Sequence, residues 1–136
     1  MIEIEQIKPN KVSRLLLAKV VARNPRFATV DGIMSRVRTG QSKLISIKEN
    51  GIQVGALILD VIECDTGAKI MNAPHLAGMG LETWYEPLAA FMFKSAAEAG
   101  CETLLVSGRK GWERISKRHN GKFVQSTYEY SVADNV

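Results

Sequence analysis

Two cysteines, two histidines and no long apolar run narrow this chain first. Cys64 and Cys101 are far apart, as are His75 and His119, and neither pair has the spacing of a metal site. No metal is therefore expected. The cysteines read as reduced core thiols of a cytosolic protein. No apolar run approaches the length that crosses a bilayer, so no membrane partner is expected. The first residues, MIEIEQIKPNK, carry acids and lack the apolar core of a secretory signal, so the expected location is cytoplasmic. Linkers, repeats and low-complexity segments are missing as well. Residues 1–136 thus read as a single domain with one sizeable core.

What is present is the balance of a soluble globular protein, 46% hydrophobic and 24% charged. The net charge of +4 is spread unevenly. Residues 1–50 sum to +6, residues 51–107 to −5 and residues 108–136 to +3. Basic ends flank an acidic middle. Phosphates, nucleic acid or an acidic partner would suit the basic faces, and ordinary solvated charge explains them equally well. Nucleic acid ranks last as a partner, because no aromatic-basic interleaving or known motif accompanies the charge.

Periodicity orders the elements. Residues 2–7, IEIEQI, alternate as a strand. Residues 12–24 carry an apolar helical stripe that Asn24-Pro25 ends. Thr29 can cap a second helix that runs to about Arg38 and stops at Gly40. Residues 43–48 and 52–64 read as strands joined by an Asn50-Gly51 turn, and Asp65-Thr66-Gly67 leads into a third. That third strand, with Ile70-Met71, enters a loop over residues 75–80 and then a long helix that ends at Gly100. Thr83 and Glu86 form a possible capping box with Pro87 in the first turn, or else the helix starts directly after Gly80. Residues 102–106 read as a strand that can lie parallel to the one before the helix. A short helix from Trp112 and a last strand over 122–132 follow.

The loop over residues 75–80 is the first candidate site. A strand that passes through Gly78 and Gly80 into a helix presents unpaired N–H groups and the positive end of a dipole, which suits a phosphate. The same pattern also serves a strand-to-helix turn that uses glycine for geometry alone.

The order β-α-α-β-β-β-α-β-α-β resembles the GNAT superfamily of N-acetyltransferases over nearly the whole chain. The family's Arg/Gln-x-x-Gly-x-Gly/Ala pattern, often behind a proline, is matched by residues 74–80, PHLAGMG, with His75 where Arg or Gln is usual. The resemblance implies a mixed α/β fold and a coenzyme A pyrophosphate held by the N–H groups of Leu76, Ala77, Gly78, Met79, Gly80 and Leu81. It also implies acetyl-CoA as cofactor and an amine as acceptor. The family's last helix often carries a Tyr four residues before a Gly-Phe pair. Here Lys117 stands at that position ahead of Gly121-Lys122-Phe123, so the usual acid towards the leaving thiolate is missing. One terminal strand follows where members have two, so the expected fold is trimmed at its C-terminus. Residues 108–114, GRKGWER, and the Leu-Glu-x-Trp start of the long helix also resemble small GNAT-like proteins of tailed bacteriophages. That implies a second possibility, a non-catalytic virion or assembly protein with phage structural proteins as partners, in the host cytoplasm or the particle.

If the chain is catalytic, a base must take a proton from the amine. His75 has a suitable ordinary pKa, and Glu63 closes the strand beside it. Arg109 and Lys110 can meet coenzyme phosphates. Each also has a plain reading: a locally packed loop histidine, a solvated turn acid and a solvated basic loop.

Overall fold

The computed structural model describes residues 1–23, 25–107, 117–122, 124 and 131–135. Five strands and three helices follow in the order β1 (Ile2–Ile7), α1 (Lys11–Val21), α2 (Val30–Arg38), β2 (Lys43–Glu49), β3 (Ile52–Glu63), β4 (Lys69–Gly78), α3 (Leu81–Glu98) and β5 (Thr103–Val106). The strands form one sheet in sequence order, antiparallel from β1 to β4, with β5 parallel to β4. The β2-β3-β4 meander and the parallel β5 agree with the expectation from periodicity. The last helix and strand expected from the sequence fall largely outside the described residues, which include only a 3-10 turn at Lys117–His119 and another at Ala133–Asn135.

Local chemistry sets most boundaries. Asn10 caps α1 by accepting from Ser13 N–H at 2.8 Å, and Thr29 caps α2 by accepting from Gly32 N–H at 3.0 Å. Helix α1 stops at Val21, earlier than Asn24-Pro25 suggests. The β2–β3 hairpin turns through Asn50 and Gly51, both at positive φ, as a two-residue turn between twisted strands requires.

The sheet buries both faces. Ile45, Ile47, Leu57, Leu59, Met71 and Ala73 point to one face and pack with Trp84, Leu88, Met92 and Ala96 of α3. The last four recur at every fourth position, which makes one helical stripe. Leu44, Ala56, Ile58 and Ala77 point to the other face and meet Leu17 of α1 and Ile33 and Met34 of α2.

One sequence expectation needs correction here, and one alternative is decided. The segment expected to be a loop over residues 75–80 is strand as far as Gly78, leaving Met79 and Gly80 as the whole connection. Of the two helix starts the sequence allows, α3 takes the one directly after Gly80, at Leu81, and the Thr83–Glu86 box is not its cap. Pro87 therefore lies inside the helix, on its exposed side, where the carbonyl it leaves without a donor can reach water.

Ser46 on β2 is fully buried and its hydroxyl has no hydrogen-bond partner among the described residues. A buried hydroxyl that loses water without gaining a partner destabilises. Ser46→Ala is expected to raise the unfolding free energy by about 1 kcal/mol, read from the denaturant midpoint. A decrease would show that the hydroxyl is satisfied in solution.

Candidate functional site

Among the described residues the β4–β5 ladder is short. Ile70, Met71, Asn72 and Ala73 pair with Thr103 to Val106, and Ser107 N–H reaches Ala73 O at 3.4 Å. Pro74 comes next and has no N–H to offer another rung. Across β4, Asn72 faces Asp60 and His75 faces Ile58, so Ala73 and Pro74 together oppose Leu59 alone. This one-residue bulge switches the side chains between faces. Ala73 packs towards α3, whereas Ala77, four residues on, packs towards α1 and α2.

Beyond the bulge, residues 74–78 pair with β3 only, among the described residues. Met79 N–H donates to Val54 O at 3.2 Å. Antiparallel alternation then turns the N–H groups of Leu76 and Gly78 away from β3, to the side on which β5 pairs with residues 70–73. At the start of α3, Thr83 N–H bonds to Gly80 O at 2.8 Å. The amides of Gly80, Leu81 and Glu82 have no protein acceptor among the described residues, and no side chain caps the helix. The expected cradle thus divides: the Leu76, Gly78, Gly80 and Leu81 amides are available, while Ala77 and Met79 face β3.

Gly78 has a packing role that spacing did not reveal. A Cβ there would come 2.6 Å from Val54 O, 2.9 Å from Gly55 Cα and 3.1 Å from Trp84 Cζ2. Trp84 is buried and its Nε1–H donates to Met79 O at 2.8 Å, which ties the connection to the helix it precedes. Gly80 sits at φ 78°, in the left-handed region that favours glycine.

A cavity of about 110 Å³ lies beside this end of β4 on the α1 face, lined by Leu16, Lys19, Val20 and Arg23 and by residues 76–79. Lys19 and Arg23 are one helical turn apart, yet the sequence reading assigned them no role. The signal was a basic pair just before Asn24-Pro25, which is indistinguishable in sequence from solvated charge.

His75 shares the α1–α2 face with Ala77. It is half-buried, and burial first, then the Arg36 cation, hold its pKa below the ordinary 6.5, with the Asp60 charge opposing them. Neither ring nitrogen has a hydrogen-bond partner among the described residues, so the orienting carbonyl or carboxylate that a catalytic base commonly has is not supplied there. Asp60 instead accepts from Ser42 Oγ at 2.5 Å. Glu63 pairs with Lys69 at the far end of β4, five residues past Ile58, or about 16 Å along the strand at ~3.3 Å per residue. It does not join His75 at the gap. Arg109, Lys110 and Trp112 lie outside the described residues. Among the described residues no His, Cys, Asp and Glu cluster suited to a metal occurs.

No family model matches the chain, and no curated protein matches its sequence. Solved structures do. The chain is similar to the ribosomal-protein-alanine N-acetyltransferase of Brucella melitensis biovar Abortus 2308, with TM-score 0.73 and 12% identity over 96% of this chain and 98% of that one. It is similar to glucosamine-6-phosphate N-acetyltransferase from Arabidopsis thaliana, with TM-score 0.65 and 10% identity over 96% and 99%. It is also similar to an aminoglycoside acetyltransferase from an uncultured soil sample, in complex with sisomicin, with TM-score 0.67 and 16% identity over 96% and 96%. The fold is that of the GNAT acetyltransferases. The GNAT architecture expected from the element order is therefore present, and the coverage extends over nearly the full length of each neighbour.

Two outcomes are expected at this site. Gly78→Ala should destabilise by about 3 kcal/mol through overpacking against β3 backbone and Trp84, measured by chemical denaturation. For His75, a lowered native pKa means that the unfolded chain binds more protons as pH falls into the imidazole range. Its contribution is complete above 6.5 and is lost as pH falls below that value towards the native pKa. His75→Gln should flatten that part of the curve, read as urea midpoints at about pH 7.5 and about pH 5.5. An unchanged slope would show that other groups cause it.

Proposed function

We propose that the chain is a GNAT-type N-acetyltransferase that binds acetyl-CoA and acetylates an amine. The observation that carries this reading is the coincidence of two features. Among the described residues the β4–β5 ladder ends at Ala73, before Pro74, and the first amides of α3 beside that end have no protein acceptor.

The residues fit the cofactor. Gly80, Leu81 and Glu82 amides, with the outward amides of Leu76 and Gly78, would hold the pyrophosphate at a helix N-terminus. Arg109 and Lys110 follow β5 in sequence and are candidates for further phosphate contacts. The exposed Glu82 carboxylate in the first turn opposes an anion at that place. When bound, acetyl-CoA supplies the acetyl group as an activated thioester. His75 is mostly neutral at neutral pH, because its pKa is lowered, and so can take the proton that the attacking amine releases. Burial first, and then the Arg36 charge, disfavour the protonated imidazole. Glu63 lies too far along β3 to share that task directly.

Isothermal calorimetry with acetyl-CoA and with CoA tests the reading, and no heat at millimolar ligand would remove it. Glu82→Gln sharpens the test. Loss of a first-turn carboxylate costs the helix about 0.3–1 kcal/mol, and removal of the same charge should tighten acetyl-CoA by roughly two- to fivefold. Affinity unchanged or weakened would place the pyrophosphate elsewhere.

A second reading keeps the fold without catalysis, as an assembly protein of a tailed bacteriophage. It draws on apolar side chains left in solvent at Leu15, Phe27, Ile52 and Met79, the kind of surface that partners cover. A monodisperse monomer with acetyl-CoA-dependent turnover would exclude it.

A further inference from the structure

The two faces of the gap differ in charge and in what they offer a ligand. On the α3 face, backbone amides at the helix start suit the cofactor's pyrophosphate. On the α1 face, the cavity at the end of β4 is lined by two cations, Lys19 and Arg23, and by no carboxylate among the described residues. Neither cation has an ion-pair partner among the described residues. Helix α1 favours one cation near its C-terminus for its own dipole, which accounts for Lys19 in the last turn. Arg23 lies beyond the helix end at Val21, so the dipole does not account for it. Arg36 adds a third positive charge on the same face of the sheet, close enough to depress His75. Asp60, the acid that acts on His75, is engaged by Ser42.

We propose that the amine acceptor carries a carboxylate or a phosphate, which Lys19 and Arg23 hold at the α1 mouth of the gap. This rests on the acetyltransferase reading. A cavity of about 110 Å³ has room for such a group. The remainder of the acceptor lies outside the cavity, along β4. His75 is two residues before Ala77 on the same face, about 7 Å away at ~3.3 Å per residue. A small molecule can therefore span from the cations to the imidazole. A polycation of the aminoglycoside kind, which one structural neighbour binds, would be repelled here.

The test has a binding arm and a turnover arm. Amide shifts of Leu16, Lys19 and Arg23, which line the cavity from α1 and the residues after it, would be followed by NMR on adding inorganic phosphate, succinate or glucose. Phosphate or succinate should move them and glucose should not, and the larger of the two responses separates phosphate from carboxylate. In the Lys19→Gln/Arg23→Gln double variant those shifts should vanish, while acetyl-CoA heat stays within twofold of the parent. Turnover would then be compared for amino acids against their amides and for amino-sugar phosphates against the free amino sugars. The charged member of each pair should be preferred at least tenfold, and the double variant should lose that preference through KM. Shifts that persist in the double variant, or preference for neutral or polycationic amines, would overturn the proposal. Acetyl-CoA heat without anion shifts removes the anionic acceptor alone. Anion shifts without acetyl-CoA heat remove the acetyltransferase reading and leave an anion pocket.

Discussion

Between Asn72 and His75, β4 carries one residue more than the β3 segment it faces, and the second of the two extra-facing residues is a proline. A strand in mid-sheet normally has donors on both sides. At Pro74 that is impossible, and the parallel ladder with β5 stops one residue earlier, at Ala73. The bulge also shifts the pleat, so Leu76 leans on the α3 core and Ala77 on the α1–α2 core. Face assignment, ladder termination and the orientation of the Leu76 and Gly78 amides all follow from one inserted residue.

The end of β4 is held rigidly. Gly78 lies flush against Val54, Gly55 and Trp84, and the Trp84 indole anchors Met79 O. The glycine is thus required by packing whether or not a phosphate binds. Packing does not, however, consume the amides of Gly80, Leu81 and Glu82. A ligand site needs donors that are both fixed and free, and here the fixing comes from the buried tryptophan while the freedom comes from an uncapped helix start. Spacing alone marks the glycines. It cannot separate the glycine that packs from the one whose left-handed φ starts the helix.

Much of the fold was legible because its signals are local. Alternation in IEIEQI, Asn50-Gly51 and the caps at Asn10 and Thr29 act over a few residues. The strand character of residues 75–78 was not legible. Pro74 and two nearby glycines, Gly78 and Gly80, argue for a loop, and only cross-strand pairing with residues 55–58 overrides them. The same limit hid Lys19 and Arg23, which meet β4 through tertiary packing of α1. Glu63 was singled out by closeness in sequence to the turn, yet antiparallel register carries it to the opposite end of the sheet. The candidate residues within β4 came together, whereas the acid expected beside them did not.

Fold similarity at 10–16% identity speaks to architecture, and the neighbours' own acceptors differ widely in charge. What distinguishes one such protein from another must then lie in side chains around a shared backbone gap. In this chain the acidic middle of the sequence places few carboxylates on the α1 side of β4. Asp60 is occupied by Ser42, and Asp31 is paired with Arg14. The basic first fifty residues contribute the helices that cover that face. The charge asymmetry visible in the primary sequence is thereby converted into an asymmetry across the sheet, with cations on the face opposite α3. Lys19 and Arg23 line the cavity on that side and Arg36 acts on His75, so three positive charges stand on the α1–α2 side of β4.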